Sequence, residues 1–233
     1  MFTHPKRRLI RRLRLTLPLG LLFVLFVCSA TTAKADEIAI WNFNDSDLVV
    51  DHGAGVLTTN FNPVNVLFAA GTATNARQGD PAGQALSLQG GTSNVNNGRN
   101  ITFSVSTAGF TSIVVSFATQ GSSTGFTSNQ FQYSLDGVSF VDFNPAFTPP
   151  ATFGSTPVVF NLSSIAGLNN NPNAAFRIVF NGASSATGTN RIDNLVVEGS
   201  SASVPEPTSI LLLGSGLTAV GSICRRILNA RRN

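Results

Sequence analysis

The chain has 233 residues, of which 11% are charged and 42% are apolar. This apolar fraction excludes a disordered polyampholyte, although the charged fraction is well below that of an ordinary soluble domain. The formal net charge of +4 suggests a nucleic-acid-binding protein, but the positive residues are concentrated at the two ends. Between residues 36 and 203, ten acidic residues outnumber four arginines, so this acidic body excludes nucleic acid as a partner.

Residues 1–35 carry the pattern of a secretory signal peptide. Six positive side chains come first, an apolar run covers residues 15–27, and a stretch of small residues follows. The apolar run rises only about 20 Å as a helix, which is too short for a permanent membrane anchor. Ala33 and Ala35 stand at the two positions that signal peptidase reads, which predicts cleavage before Asp36.

Two other export routes remain open from the sequence. The pair Arg7-Arg8 is part of a twin-arginine pattern, and Cys28 stands where a lipoprotein would carry its lipid. The residues around the two arginines lack the rest of that motif, and Val27 is bulky where a lipobox has Gly, Ala or Ser. The signal-peptidase route is therefore favoured.

Residues 36–198 are predicted to form one all-β domain, followed by a linker at Gly199–Ser203. Short apolar or alternating runs are separated by turn residues, and helical periodicity is nearly absent. Asp136-Gly137 predicts a tight hairpin between two of the strands. About nine strands are expected, at residues 38–43, 85–88, 101–105, 113–117, 131–135, 140–143, 158–162, 176–180 and 192–197.

The composition of this body favours a β-sandwich whose two sheets pack around phenylalanines. Fifteen of the 18 phenylalanines lie there, mostly at strand positions, and both cysteines lie outside it. The hairpin region 131–143 and the ending from residue 175 to 197 resemble galactose-binding-type jelly rolls of secreted bacterial proteins and carbohydrate-binding modules. That resemblance implies a jelly-roll β-sandwich.

Candidate catalytic groups are scarce in the body. His52 is its only histidine, which excludes a two-histidine metal site, and no G-x-S-x-G nucleophile elbow occurs. Paired carboxylates for glycoside hydrolysis remain open. The candidates for such a pair are Asp45, Asp47, Asp51, Asp136, Asp142 and Asp193.

No cofactor is expected except a structural calcium ion. Asp45 and Asp47 supply hard oxygen ligands, but their spacing does not fit an EF-hand. In jelly rolls of the type that the body resembles, the first and last strands often meet around a structural calcium. The resemblance therefore implies a calcium site at Asp45, Asp47 and Asp193.

Three aromatic residues are candidates for contact with a ligand. Trp41 and Tyr133, the only Trp and Tyr of the chain, lie in strand patterns, which favours core packing over stacking against a sugar. Phe126 lies in a loop rich in Gly, Ser and Thr and is the better candidate for an exposed contact. Its alternative role is to pin that loop.

Residues 204–233 combine three features in fixed order. The motif Val204-Pro205-Glu206-Pro207 is followed by fifteen mostly apolar residues at 210–224, and then by Arg225 and Arg226. A helix over 210–224 rises only about 22 Å, which makes it a poor membrane anchor by itself. Positive flanks at both ends of the chain stay cytoplasmic, which leaves the acidic body outside.

This tail resembles the PEP-CTERM sorting signal. The resemblance implies that an exosortase, a membrane transpeptidase of Gram-negative bacteria that make exopolysaccharide, reads Val204, Pro205, Glu206 and Pro207. Arg225 and Arg226 would then act as the stop. The alternative is an ordinary C-terminal tail anchor with a proline-rich hinge.

The sequence therefore predicts a secreted, non-enzymatic protein that associates with exopolysaccharide in the cell envelope or a biofilm matrix. Its expected partners are signal peptidase and exosortase, and its expected route runs through the inner membrane to the cell surface or extracellular matrix. A carbohydrate-binding, lectin-like module is the alternative, and a glycoside hydrolase is a third. A lectin-like role predicts a concave face that bears Trp41, Tyr133 or Phe126.

Overall fold

The computed structural model describes residues 35–201 and the single residue Ala230. The predicted signal peptide up to Lys34, the sorting motif, residues 210–224, and Arg225 and Arg226 lie outside the described residues. In the described part of the chain, no helix is long and apolar enough to cross a membrane.

The described body is built almost entirely from β-strands. Three short 3₁₀ helices, at Pro63–Asn65, Thr92–Asn94 and Ala166–Leu168, lie in the connections. The strands are β1 (Ala35–Trp41), β2 (His52–Gly53), β3 (Val56–Thr59), β4 (Val66–Ala70), β5 (Gln84–Gln89), β6 (Arg99–Ser104), β7 (Phe110–Gly121), β8 (Ser128–Ser134), β9 (Phe140–Asp142), β10 (Val158–Asn161), β11 (Ala175–Asn181) and β12 (Thr189–Ser201).

These strands form two sheets in which every pairing is antiparallel. In the seven-stranded sheet, β7 runs along one edge of the long β12, while β1 and β5 lie end to end along its other edge. Strands β10, β2 and β4 extend this sheet outward. The five-stranded sheet has the order β3-β6-β11-β8-β9, with β11 at its centre. The body is an antiparallel β-sandwich of the jelly-roll type, as the sequence predicted.

The core between the sheets is filled by aromatic rings. Phe131 of β8 stacks on Phe160 of β10 with ring centroids 4.0 Å apart, and this contact joins the two sheets directly. Phe131 is fully buried, as are Phe103 and Phe176 from the neighbouring strands. Their positions follow from the period of two along each strand, which turns every second side chain inward.

A segment from Gly71 to Gly83 crosses the outer face of the seven-stranded sheet. Arg77 of this segment lies 3.7 Å from Glu37 and 3.4 Å from Glu198, which belong to β1 and β12. Ile40 and Val196 alternate out of the core, yet they are only 1% and 0% exposed. The outer face of the seven-stranded sheet is therefore covered. The outer face of the five-stranded sheet carries exposed and half-buried side chains.

The nine predicted strands all appear, as β1 and β5 to β12. The Asp136-Gly137 hairpin also forms, because β8 and β9 pair on either side of it. Strands β2, β3 and β4 are missed by the sequence analysis because they are short or half-exposed and follow no clear alternation. The predicted linker begins too early, since Gly199–Ser201 continue β12 and pair with β1 and β7.

Candidate functional site

The outer face of the five-stranded sheet carries a row of polar side chains. The row crosses all five strands at register-paired positions, in the order Thr58, Thr102, Arg177, Gln132 and Asp142. Each of these residues alternates with an inward-pointing core residue, so the same pattern that builds the core also presents the row to solvent. Arg177 lies on the central strand, and therefore in the middle of the face.

Hydrogen bonds join three members of this row. Arg177 Nε donates to Gln132 Oε1 at 2.7 Å, and Gln132 Nε2 donates to Asp142 Oδ1 at 2.6 Å. The glutamine amide thus stands between the two opposite charges. None of the ion pairs among the described residues joins Arg177 to Asp142. The amide also holds both neighbours in defined rotamers, which pre-organises this part of the face.

An aromatic ring supports the guanidinium of Arg177. Its Cζ lies 3.8 Å from the centre of the Phe140 ring, which is a cation–π contact. Phe140 opens β9 and is half-buried, beside the row. Partial burial lowers the pKa of Arg177 and the nearby charge of Asp142 opposes that shift, while the group stays protonated at any physiological pH.

A small cleft lies beside the row, where β6 and β8 end and β11 begins. It has a volume of about 280 Å³ and is lined by polar groups that include Ser104, Asp136 and Asn173. Ser104 is the next outward-facing residue after Thr102 on β6, so the cleft and the row share one surface. The open cleft and the polar row together form the candidate site, here named the β11 face.

Asp136 at this cleft is held ionised by its own turn. Its Oδ1 accepts hydrogen bonds from the Ser139 and Val138 backbone N–H groups at 2.7 and 2.8 Å, and from Ser134 Oγ at 2.8 Å. These donors hold the pKa of Asp136 well below its usual range. A carboxylate that keeps its charge is a strong acceptor for hydroxyl groups and a poor general acid.

The β11 face combines donors, acceptors and one aromatic ring on rigid strands. Amide and hydroxyl groups both donate and accept, as do the hydroxyl groups of a sugar. A pyranose also has an apolar face that packs against an aromatic ring. The chemistry of the face therefore fits a hydroxyl-rich ligand.

The aromatic residues that the sequence singled out are placed differently. Trp41 is 0% exposed and packs edge-on against Phe103, so it belongs to the core as the strand pattern favoured. The expected exposed contact at Phe126 is wrong, because Phe126 is 1% exposed and packs against Phe61 and Phe180. It has the alternative role, pinning its loop to the core.

Tyr133 is half-buried and lies edge-on to Phe143. Its position on β8 is register-paired with the core residue Phe176, so it belongs to the inward-facing set rather than to the β11 face. None of the three aromatic candidates therefore lies on the exposed polar row.

Two of the three aspartates of the expected calcium site, Asp47 and Asp193, have separate hydrogen-bond partners. Asp193 is fully buried and accepts backbone N–H groups from Thr72 and Asn194 at 2.6 and 2.8 Å. Asp47 Oδ1 accepts the N–H of Val49 within its own turn. No group of three or more His, Cys, Asp or Glu side chains that could hold a metal occurs between residues 35 and 201. The calcium site stays a prediction from the resemblance.

The predicted processing residues fall mostly beyond the described region. Ala35 is the first residue of β1 and pairs with Ser200, whereas Ala33 and the motif at 204–207 lie outside the described residues. Signal cleavage and sorting therefore stay predictions.

Of the β11 face, the sequence singled out only Asp136 and Asp142, as candidate carboxylates for hydrolysis, and it did not identify Arg177 or Gln132. Gln132 could have been noticed as the polar position within an alternating strand, and Arg177 as the only charged residue of β11. What the sequence does not contain is the register that brings these two residues, 45 positions apart, into contact.

Comparison with known proteins identifies no family. No family model matches the chain, and no curated protein matches it. Solved structures that resemble it include a CBM61 module in complex with β-1,4-galactotriose, at 13% identity and a TM-score of 0.41, covering 67% of this chain and 92% of that one.

Two further similar structures are domains of AbnA and Xyn10C. Domain 4 of AbnA, an extracellular arabinanase of Geobacillus stearothermophilus, has 13% identity and a TM-score of 0.44, covering 73% of this chain and 95% of that one. The tandem CBM22 domain of Xyn10C from Paenibacillus barcinonensis has 11% identity and a TM-score of 0.45, covering 76% and 50%. At these identities and TM-scores, the matches assign this chain neither a ligand nor an activity.

Proposed function

We propose that the body of this chain is a carbohydrate-binding module and that the β11 face is its sugar-binding surface. The observation that carries this proposal is the hydrogen-bonded series Arg177–Gln132–Asp142 beside the Phe140 ring, on an uncovered sheet face. A carbohydrate-binding module is the alternative function that the sequence left open. The proposed binding residues differ from Trp41, Tyr133 and Phe126, which the sequence suggested.

The rigid setting of the face supports binding rather than a general surface role. Free glutamine and arginine side chains lose rotamer freedom when they bind a ligand, whereas Gln132 and Arg177 are already held in place. Each new hydrogen bond to a sugar hydroxyl contributes only about 0.5–1.5 kcal/mol. We therefore expect modest affinity for one sugar unit and useful affinity for polymers with many repeats.

The titration of Asp136 and Asp193 argues against either of these two carboxylates as the acid of a glycoside hydrolase. Glycoside hydrolysis needs one carboxyl that is protonated near neutral pH beside one that is ionised. Burial raises the pKa of Asp193, but this carboxyl is fully enclosed, while Asp136 at the cleft has a lowered pKa. Neither can serve as an accessible general acid.

The sorting signal supports delivery of this module to the outside of the cell. The proposal includes cleavage of the signal peptide before Asp36 and recognition of residues 204–207 by an exosortase, both of which rest on the sequence pattern alone. A sugar-binding body would then reach a cell surface or matrix that contains exopolysaccharide. The protein would act there as a polysaccharide-bound matrix component.

The test compares two glutamines on opposite sheets. Gln132→Ala removes the amide between Arg177 and Asp142, and we expect about tenfold weaker binding to any polysaccharide that the wild-type chain binds. Gln120→Ala is the matched control, because Gln120 pairs with Arg191 on the seven-stranded sheet as Gln132 pairs with Arg177 on the other.

Binding of the purified full chain to a panel of neutral and acidic polysaccharides is measured by affinity gel electrophoresis. Equal losses in the two variants would place the binding surface elsewhere. Failure of the wild-type chain to bind any polysaccharide would refute the carbohydrate-binding proposal.

A further inference from the structure

Arg177 is bound through only part of its guanidinium group. Its Nε donates to Gln132, but its two terminal nitrogens donate no hydrogen bond to any residue in the described range 35–201. Arg77 and Arg191 differ, since Arg77 Nη2 pairs with Glu198 and Arg191 Nη1 donates to the carbonyl of Ala70. The terminal donors of Arg177 are therefore available at the centre of the β11 face.

Arg177 makes no direct ion pair with a carboxylate of the described residues, and only the more distant charge of Asp142 acts on it. Asp142 is the carboxylate nearest along the row, yet its Oδ1 is bound to Gln132, and no carboxylate of the described residues lies within 4.0 Å of the guanidinium. The group is also partly withdrawn from water on the Phe140 ring. A partly desolvated cation whose nearest carboxylate is not in direct contact is only partly stabilised in the free protein, and a directly bound anionic ligand supplies the missing contact.

The orientation of the guanidinium is set before any ligand binds. The Phe140 ring supports its plane, and the hydrogen bond from Nε fixes its rotation. The two terminal nitrogens then form a fork whose spacing matches the two oxygens of a carboxylate. Lysine, with a single ammonium group on a flexible chain, does not present such a fork.

From this geometry, and resting on the proposed function, we infer that the ligand is an acidic polysaccharide and that Arg177 binds an oxyanion carried by one of its sugars. A uronic acid carboxylate fits the fork best, and a sulfate ester shares the same chemistry. Thr102 and Gln132, which flank Arg177 in the row, then contact hydroxyl groups of the same or the adjacent sugar.

Because the body is acidic overall, its attraction for an acidic polysaccharide must come from a local contact. The excess of acidic residues gives no long-range attraction for a polyanion. Charges more than about 8 Å away are largely screened at physiological ionic strength, whereas a direct contact at Arg177 is not. Selectivity for the acidic group therefore depends on Arg177 rather than on the net charge.

The experiment uses matched pairs of polymers and the purified full chain. Polygalacturonate is compared with the same polymer after carboxyl reduction, and dextran sulfate is compared with dextran, with dissociation constants measured by calorimetry. Wild type, Arg177→Gln and Arg177→Lys are tested, and Arg191→Gln is the control on the opposite sheet. Thermal unfolding of each variant reports whether it is folded.

We expect the wild type to bind the charged member of one pair at least tenfold more tightly than its neutral partner. Arg177→Gln abolishes this preference, Arg177→Lys keeps part of it, and Arg191→Gln leaves it unchanged. The pair that shows the preference distinguishes a carboxylate from a sulfate ester. If Arg177→Gln does not fold, binding of the paired polymers to the wild type and to Arg177→Lys still decides whether Arg177 selects an acidic ligand.

Two outcomes overturn the inference in different ways. If the wild type binds the charged and the neutral polymer of each pair equally, the inference of an acidic ligand is refuted. If Gln132→Ala then loses this binding, the proposal that the β11 face binds carbohydrate still stands. Absence of binding to every polymer of the wider panel refutes the face itself.

Discussion

At the scale of single residues, Asp193 is the side chain whose environment is least usual. It is 0% exposed, and burial raises its pKa from the ordinary value of 3.8 to about 7, although the N–H groups of Thr72 and Asn194 favour the ionised form. The folded state therefore holds a proton that the unfolded chain has already released between these two pH values. The contribution of Asp193 to the free energy of unfolding falls as pH rises from about 4 to about 7 and is constant above that range.

We predict that this titration is visible in the thermal stability of the chain. The wild type should melt several degrees lower at pH 8 than at pH 5, because a carboxylate is then buried at Asp193. Asp193→Asn cannot ionise and should flatten this dependence, even though its amide replaces one of two acceptors and lowers stability overall. Asp45→Asn, at an exposed position, is the control. Parallel pH profiles for wild type and Asp193→Asn would contradict this account.

At the scale of elements, the hairpin between β8 and β9 sets the shape of the β11 face. Asp136 closes the turn through the N–H groups of Val138 and Ser139, and Gly137 has a φ of 75°. Beyond the turn, β9 carries Phe140 and Asp142 into the row beside β8. A local turn thus positions both the aromatic ring and the last acidic group of the candidate site.

We predict that Gly137→Ala destabilises this hairpin by about 1 kcal/mol, because a residue with a Cβ is strained at positive φ. Space is not the cause, since an added Cβ would lie 3.5 Å from its nearest contact, the carbonyl oxygen of Asn173. Gly154→Ala is the matched control, with a nearest contact of 3.5 Å and no positive φ. Urea unfolding measures both variants, and an equal effect in the two would show that the turn conformation contributes nothing.

At the scale of the whole molecule, charge divides the chain into an acidic body and two basic ends. The ends carry eleven of the fifteen Lys and Arg residues, together with both cysteines. The body contains the sandwich and the β11 face, so targeting and ligand binding are proposed for separate segments. This separation allows each to be tested by substitutions that leave the other unchanged.

We predict that Glu206→Ala blocks processing of the tail in the native host. The precursor should then accumulate in the membrane fraction, with residues 210–233 still attached, because the enzyme that reads the motif no longer recognises it. Mass spectrometry of the purified chain identifies both termini. Processing like the wild type, together with no effect of deleting residues 225–233, would mean that the tail is not a sorting signal.

The sequence by itself determined those features that depend on neighbouring residues. Alternation along β6 and β8 identified these two strands and set Phe131 and Gln132 on opposite faces of β8, because the period of two is a local property. The turn at Asp136-Gly137 was likewise predictable, since its hydrogen bonds lie within four residues.

Only the tertiary structure decided which solvent-facing residues meet and which aromatic residues remain exposed. Register between strands far apart in sequence brings Arg177 against Gln132, and a shift of one residue would have turned these side chains to opposite faces. Phe126 lies in a polar loop, yet contacts with Phe61 and Phe180 bury it. These contacts join residues far apart in sequence, so no local pattern predicts them.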